Sequence, residues 1–444
     1  MSRTSMILAV AGGVLGMGSV ALAADADRAY AAELMADAAS RTSLAQGGAP
    51  GYDGQFYISD AAGNFRLNIG GLVQLRYYAN FRDGDTFVAD ADDDDDADYT
   101  GGFDLPRAII NVAGNVISPD IGFKISGDFG GAELSTLRGF GFDDDGDPVL
   151  TGSGSGDFNL LEAWVKYSFG GGQTYALAGQ FRAPVLFEEI LDPGMQMVIE
   201  RSIVNEYFSP GYTQGLAIGH ESDAFRIVAS VNDGANSTVP YDQESADVGL
   251  TLRADFKISG DWEQFEDMTS FRGSNNAFRI GAGIHWETGG ETGVFGSETA
   301  DDELFLYTID AGYEGNGWNV FAAFIGAHSE SDDAFGDEDD RDDFGLVVQG
   351  GVFLADQFEL YGRWETLFLD DDFFGDDADD TVNFLTIGGN YYITPESHAA
   401  VVSADLIWSF NETAGLIYDP ETTGLLGSTD DNEILVRLQF QLMF

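Results

Sequence analysis

The stretch Phe65-Arg-Leu-Asn-Ile-Gly-Gly-Leu-Val-Gln-Leu-Arg-Tyr-Tyr-Ala-Asn-Phe81 decides the fold. Phe65, Leu67, Ile69, Gly71, Val73, Leu75, Tyr77, Ala79 and Phe81 share one face of an extended chain, and Arg66, Asn68, Gln74, Arg76 and Asn80 share the other. Side chains alternate across a strand, so this pattern predicts a single strand with an apolar and a polar face. It far exceeds the roughly 5–6 residues of a usual soluble strand. A soluble β-sandwich would also alternate, but it does not account for apolar faces so aromatic at their ends.

Working outward, the texture recurs at 64–81, 103–116, 120–129, 157–169, 173–182, 213–221, 223–233, 246–258, 277–288, 303–313, 316–328, 343–354, 357–369, 380–393, 396–410 and 432–444, sixteen segments in all. Single-chain bacterial membrane barrels have an even number of strands, each of roughly 9–11 tilted residues. Closure also satisfies every backbone amide in lipid, because a closed sheet has no edge. Outer-membrane barrels pair short periplasmic turns with long outer loops. Here the links 82–102, 130–156, 183–212, 234–245, 289–302, 329–342, 370–379 and 411–431 are long. Between them lie tight links such as Ser118-Pro119, Gly170-Gly-Gly172, Ser222, Gly315, Ala355-Asp356 and Thr394-Pro395. The link 259–276 is long on the short side, so either a strand pair is misplaced there or that turn carries an insertion.

In the last segment Ile434, Val436, Leu438, Phe440, Leu442 and Phe444 oppose Arg437, Gln439 and Gln441. An amphipathic strand closing on phenylalanine resembles the recognition signal of bacterial outer-membrane proteins, with Phe440 and Phe444 offered to the outer-membrane assembly machinery. At the other end, Arg3, the apolar run Met6 to Met17 and Ala21-Leu22-Ala23 predict a cleavable signal peptide over 1–23. An Ala-rich periplasmic tail over 24–53 and a barrel over 54–444 would follow. The expected location is the bacterial outer membrane, with its lipid as a partner.

Lys+Arg 20 against Asp+Glu 76 gives a net charge of −56. That excludes nucleic acid as a partner, since so negative a chain releases no counterions from a phosphate backbone. With 44% hydrophobic and 13% aromatic residues, the chain has too much apolar surface to remain disordered. No cysteine is present, which excludes disulfides, zinc–thiolate sites and thiol catalysis.

Two further stretches point to a family. Gly54-Gln-Phe-Tyr-Ile-Ser-Asp-Ala-Ala-Gly-Asn-Phe-Arg-Leu-Asn-Ile-Gly-Gly-Leu-Val-Gln74 resembles the opening of the phosphate-selective porin O and P group. Gly179-Gln-Phe-Arg-Ala-Pro184, followed by Phe187-Glu-Glu189 and Ile199-Glu-Arg-Ser-Ile-Val-Asn205, is similar to that family's passage from strand to constriction loop. The resemblance implies a sixteen-stranded barrel, a homotrimer and a third outer loop folded into the lumen. The Ala-rich tail and the Asp-rich loops depart from the family's pattern.

Fixing each inward face by its alternation turns Arg66, Arg76, Arg107, Lys124, Lys166, Arg182, Arg226, Arg253, Lys257, Arg279, Arg363 and Arg437 into the lumen. Asp128, Glu162, Asp255, Glu287, Asp310, Glu359, Glu365 and Asp405 join them, leaving a slightly basic wall. Arg182 and Arg201 are expected at the constriction with Glu188, Glu189, Glu200 and Glu206. Rings of Arg and Lys select anions and phosphate. Equally, lipid forces every strand cation inward, where it pairs with carboxylates.

The acid runs Asp92 to Asp96, Asp143 to Asp147, Asp337 to Asp340, Asp370 to Asp372 and Asp376-Asp377 fall in outer loops. They read as a solvated acidic surface, with Ca²⁺ or Mg²⁺ binding as the alternative, although no segment fits the spaced calcium loop. No Gly-x-Ser-x-Gly, phosphate-binding loop or His-Glu-x-x-His is present, and His220, His285, His328 and His398 lie on different strands. The expectation is therefore no enzyme and no cofactor. The leading function is a porin passing small hydrophilic solutes and ions, with phosphate or anion selectivity as its finer form. A cation-preferring general porin with an acidic vestibule, and an adhesive barrel with ion-binding loops and a closed lumen, are the alternatives.

Overall fold

The computed structural model describes residues 49–52, 55–82, 99–130, 139–142, 148–151, 158–236, 246–289, 303–332, 338–370, 380–413, 423–428 and 430–444. The expected signal peptide, the tail before residue 49 and the acid runs, apart from 338–340 and Asp370, lie outside these residues.

Sixteen antiparallel strands close into a barrel: β1 (Arg66–Phe81), β2 (Tyr99–Asn115), β3 (Ile121–Asp128), β4 (Asn159–Phe169), β5 (Thr174–Arg182), β6 (Tyr212–Glu221), β7 (Phe225–Asn232), β8 (Val248–Ser259), β9 (Ala277–Thr288), β10 (Glu303–Gly315), β11 (Trp318–Asp332), β12 (Glu338–Ala355), β13 (Phe358–Phe368), β14 (Thr381–Tyr392), β15 (Ala400–Ser409) and β16 (Ile434–Met443). Each expected segment is one of these strands. Tyr77 of β1 lies opposite Phe103 of β2 on one side and Leu438 of β16 on the other, which closes the ring. The C-terminal residue is built into the wall, because Phe444 and Gly71 exchange backbone hydrogen bonds of 2.8 and 3.1 Å. No helix among the described residues is long and apolar enough to cross a membrane.

The predicted faces hold on β1 and β16. Arg437, Gln439 and Gln441 are buried, while Val436, Leu438, Phe440 and Leu442 between them are exposed. In a closed barrel the buried polar face is the inner one and the exposed apolar face the outer.

Strand structure begins earlier than expected. Ala49–Tyr52, inside the predicted tail, pairs with Phe56–Ser59, which pairs with Arg66–Ile69 of β1. This hairpin fills the stretch of β1 that β16 leaves unpaired, since β16 pairs only from Leu72 onward.

The long link after β8 is an insertion and not a misplaced strand pair. Its 3-10 helix Trp262–Glu266 is held by a capping box at Asp261, and Trp262 Nε1 donates to Ser222 O at 2.8 Å. Met268 N donates to Met195 O at 3.0 Å, and Phe271 packs on Phe353, Tyr392 and His398. The turn therefore reaches from the β6–β7 link to the β14–β15 link, across one end of the barrel.

Candidate functional site

The segment between β5 and β6 carries the expected constriction residues, and local chemistry fixes its course. Gly179 has φ of +133°, and a Cβ there would lie 2.1 Å from Ala163 O, so only glycine lets β5 run this close to β4 before Arg182. After Pro184 come two short helices, α1 (Phe187–Ile190) and α2 (Ile203–Phe208). Ser202 caps α2 by accepting from Asn205 N at 2.9 Å. Both Glu188 oxygens hold that cap, at 2.6 Å from Ser202 N and 2.7 Å from Ser202 Oγ.

The segment is bonded to strands all around the barrel. Glu200 accepts from Arg76 of β1 at 2.7 Å and from both terminal nitrogens of Arg107 of β2, one of them at 2.9 Å. Burial alone would raise the Glu200 pKa, but Arg107 and Arg76 hold it well below the usual carboxylate range. Arg363 of β13 donates to Glu200 O and Arg201 O at 2.9 and 3.2 Å, and Glu365 accepts from Ile203 N at 2.9 Å. Asn390 of β14 donates to Met197 O, Gln441 of β16 to Gly194 O, and Arg253 of β8 to Val185 O. Tyr207 donates to Asp343 of β12 at 2.7 Å.

Apolar contact completes the seat. Val185, Phe187, Ile203, Val204 and Phe208 form one buried cluster with Leu304 and Leu306 of β10, Phe321, Ala323 and Ile325 of β11, Val347 of β12, Leu367 of β13 and Phe384 of β14. Each such side chain contributes about 1.5–3 kcal/mol on burial, so a cluster of this size fixes the segment against β10–β14.

Space remains on the other side. A cavity of about 450 Å³ is bordered by Asp104 and Arg107 of β2, Asp128 of β3, Arg182, Glu189, Pro193, Arg201, Glu206 and Tyr212. A second, of about 400 Å³, is bordered by Lys124, Glu162, Trp164, Tyr175, Arg182, Asp192, His220, Glu221, Arg226, Arg253 and Asp255. Their wall residues come from β2–β8, and Arg182 borders both. Of the six expected constriction residues, Arg182, Glu189, Arg201 and Glu206 therefore face a cavity. Glu188 and Glu200 are instead spent on holding the segment.

The expected basic residues are mostly paired. Arg253 and Arg279 share Asp255 and Asp310 at 2.6–2.9 Å, Arg437 meets Asp405 at 2.7 Å, and Arg226 meets Glu221 at 2.7 Å. Lys124 pairs with Glu162, and Arg363 with Glu365. Arg66 stacks on Tyr57, while Lys166 lies over Trp164 and Tyr175 and Lys257 over Trp262. The buried pair Arg341–Asp343 was not expected, because the strand begins at Glu338, five residues before the expected segment 343–354. No group of His, Asp or Glu among the described residues is arranged to hold a metal ion.

Glu206 differs from its neighbours. Its Oε1 has no hydrogen-bond partner among the described residues. Burial raises its pKa, Glu189 and Glu200 add to the rise, Arg201 and Arg107 oppose it, and the carboxyl is pushed up to about 8. It is thus protonated at neutral pH and adds a negative charge beside the larger cavity as pH rises through that value. Reversal potentials in a salt gradient, taken on either side of pH 8, are expected to move toward cation preference on the alkaline side. The shift should vanish in Glu206→Gln.

No protein-family model matches the chain, and no curated protein matches it in sequence. Solved structures do match in shape. An anion-selective porin from Comamonas acidovorans aligns over 85% of this chain and 99% of its own at 10% identity and a TM-score of 0.56. Pseudomonas putida OprB aligns over 91% and 96% at 14% identity and 0.53. The trimer form of the Vibrio cholerae outer-membrane protein OmpT aligns over 85% and 99% at 12% identity and 0.52. The chain has the fold of bacterial outer-membrane barrels.

Proposed function

We propose that this chain is a passive channel of the bacterial outer membrane for small hydrophilic solutes and ions, with segment 183–211 lying across the lumen as its constriction. The observation that carries this reading is the pair of cavities on the β2–β8 side that meet at Arg182, beside a segment bonded to the opposite wall. The apolar outer faces of the strands support insertion in lipid, and the likeness in shape to an anion-selective porin supports the channel role. The trimer form of the Vibrio cholerae relative in shape supports a homotrimer. Phosphate selectivity has weaker support, because most buried guanidinium groups already hold carboxylates or carbonyl oxygens and offer few open forks to an oxyanion. The purified protein in a planar lipid bilayer is expected to give discrete, ohmic conductance steps. Its complete failure to conduct would favour the closed adhesive barrel.

A further inference from the structure

Resting on the channel reading, we propose that the passage along β2–β8 favours dipolar solutes: zwitterions of amino-acid size that carry an apolar group.

Charge in the 400 Å³ cavity is arranged in pairs. Its cations are each matched to an anion that lines the same space: Lys124 to Glu162, Arg226 to Glu221 at 2.7 Å, Arg253 to Asp255 at 2.7 Å and Arg182 to Asp192 at 3.9 Å. Both signs recur in the larger cavity, where Arg201 lies 3.3 Å from Glu189. A simple anion drawn to one of these guanidinium groups meets the carboxylate beside it, and displacing that carboxylate leaves it unpaired in a partly desolvated wall. A simple cation meets the converse problem. A zwitterion brings its ammonium to the carboxylate and its carboxylate to the cation together, so neither partner is stranded.

The rest of the lining matches the rest of such a solute. Trp164, Leu177, Phe181 and Ile190 border the same cavity and offer an apolar surface beside the charge pairs. The volume lies within the roughly 300–1,000 Å³ of small-molecule sites. On the opposite half, among the described residues, the apolar cluster packs against segment 183–211 and presents no such charge pairs.

The test uses proteoliposomes of the full chain and three probes of one shape: phenylalanine, phenylpropionate and phenethylammonium, with arabinose as a neutral control. Phenylalanine is expected to enter roughly tenfold faster than either singly charged probe, the factor that one poorly balanced charge contributes at ~1.4 kcal/mol. Glu162→Gln combined with Glu221→Gln removes the close anions of Lys124 and Arg226, leaving Arg226 only Glu266 at 3.9 Å, and phenylpropionate should then become the fastest probe. Entry of arabinose with no advantage for phenylalanine overturns the inference and leaves the channel standing. A double variant whose zwitterion preference is undiminished also overturns it, because two of the four pairs would then contribute nothing. Exclusion of arabinose and salt together removes the channel reading itself. The wild-type comparison stands alone should the double variant fail to fold.

Discussion

Glu200→Ala is expected to lower the thermal unfolding midpoint of the barrel sharply and to turn a steady channel into a noisy one of higher conductance. Glu200 is 1% exposed, and it is the shared counter-charge of Arg76 and Arg107, themselves buried. Removing one member of a buried ion pair costs about 3–5 kcal/mol, because the remaining charge has neither water nor a partner. Here two guanidinium groups lose their anion at once, although Gln439 and Gln74 still accept from Arg76 and Arg107. The segment then keeps its apolar contacts with β10–β14 and the bond from Arg76 to Ile199 O, but loses its ionic hold on β1 and β2, so it should move more freely on that hinge. Glu200→Gln, which keeps an acceptor, should fall between. Calorimetry and single-channel recording read the two effects, and an unchanged midpoint with unchanged noise contradicts the role given to Glu200.

Replacing the turn 261–275 by a short glycine linker is expected to roughly double single-channel conductance, by uncovering the end of the barrel between the β6–β7 and β14–β15 links. The turn covers that end through definite contacts, among them Trp262 to Ser222 O, Met268 to Met195 O, Ser270 to Gly315 O and the stack of Phe271 on Phe353 and Tyr392. The β8–β9 ladder pairs from Val248↔Thr288 down to Lys257↔Arg279 before the turn begins, so the barrel itself should survive. Unaltered conductance in a folded variant shows that the turn does not limit the current.

How much of this was legible in the sequence depends on whether the signal is local. The alternation of Phe65–Phe81 and of Ile434–Phe444 fixed both strands and their faces, because strand period and lipid exposure act on consecutive residues. The inner apolar residues Leu304, Leu306, Phe321 and Ile325 were not foreseen. Their strands read as nearly continuous apolar runs, such as Leu304-Phe-Leu-Tyr307, and such runs signal burial on both faces. A reading that assumes a polar interior passes over them. Glu188 and Glu200 were grouped with Glu189 and Glu206, since nothing adjacent in sequence tells a carboxylate that anchors from one that borders a cavity. The partners that separate them, Arg363, Arg76 and Arg107, are far away in the chain. The link 259–276 shows in sequence only as a length anomaly, and its role follows from contacts with links that are remote in sequence.

An off-centre passage along β2–β8 can be tested with single introduced thiols, since the chain has no cysteine. Asp192→Cys places a thiol on a side chain that borders the 400 Å³ cavity and is 57% exposed. Ala323→Cys places one beneath segment 183–211, in the apolar cluster. A charged methanethiosulfonate added to open channels should cut the current of Asp192→Cys in discrete steps and leave Ala323→Cys unchanged. Block at Ala323→Cys with none at Asp192→Cys would contradict the account.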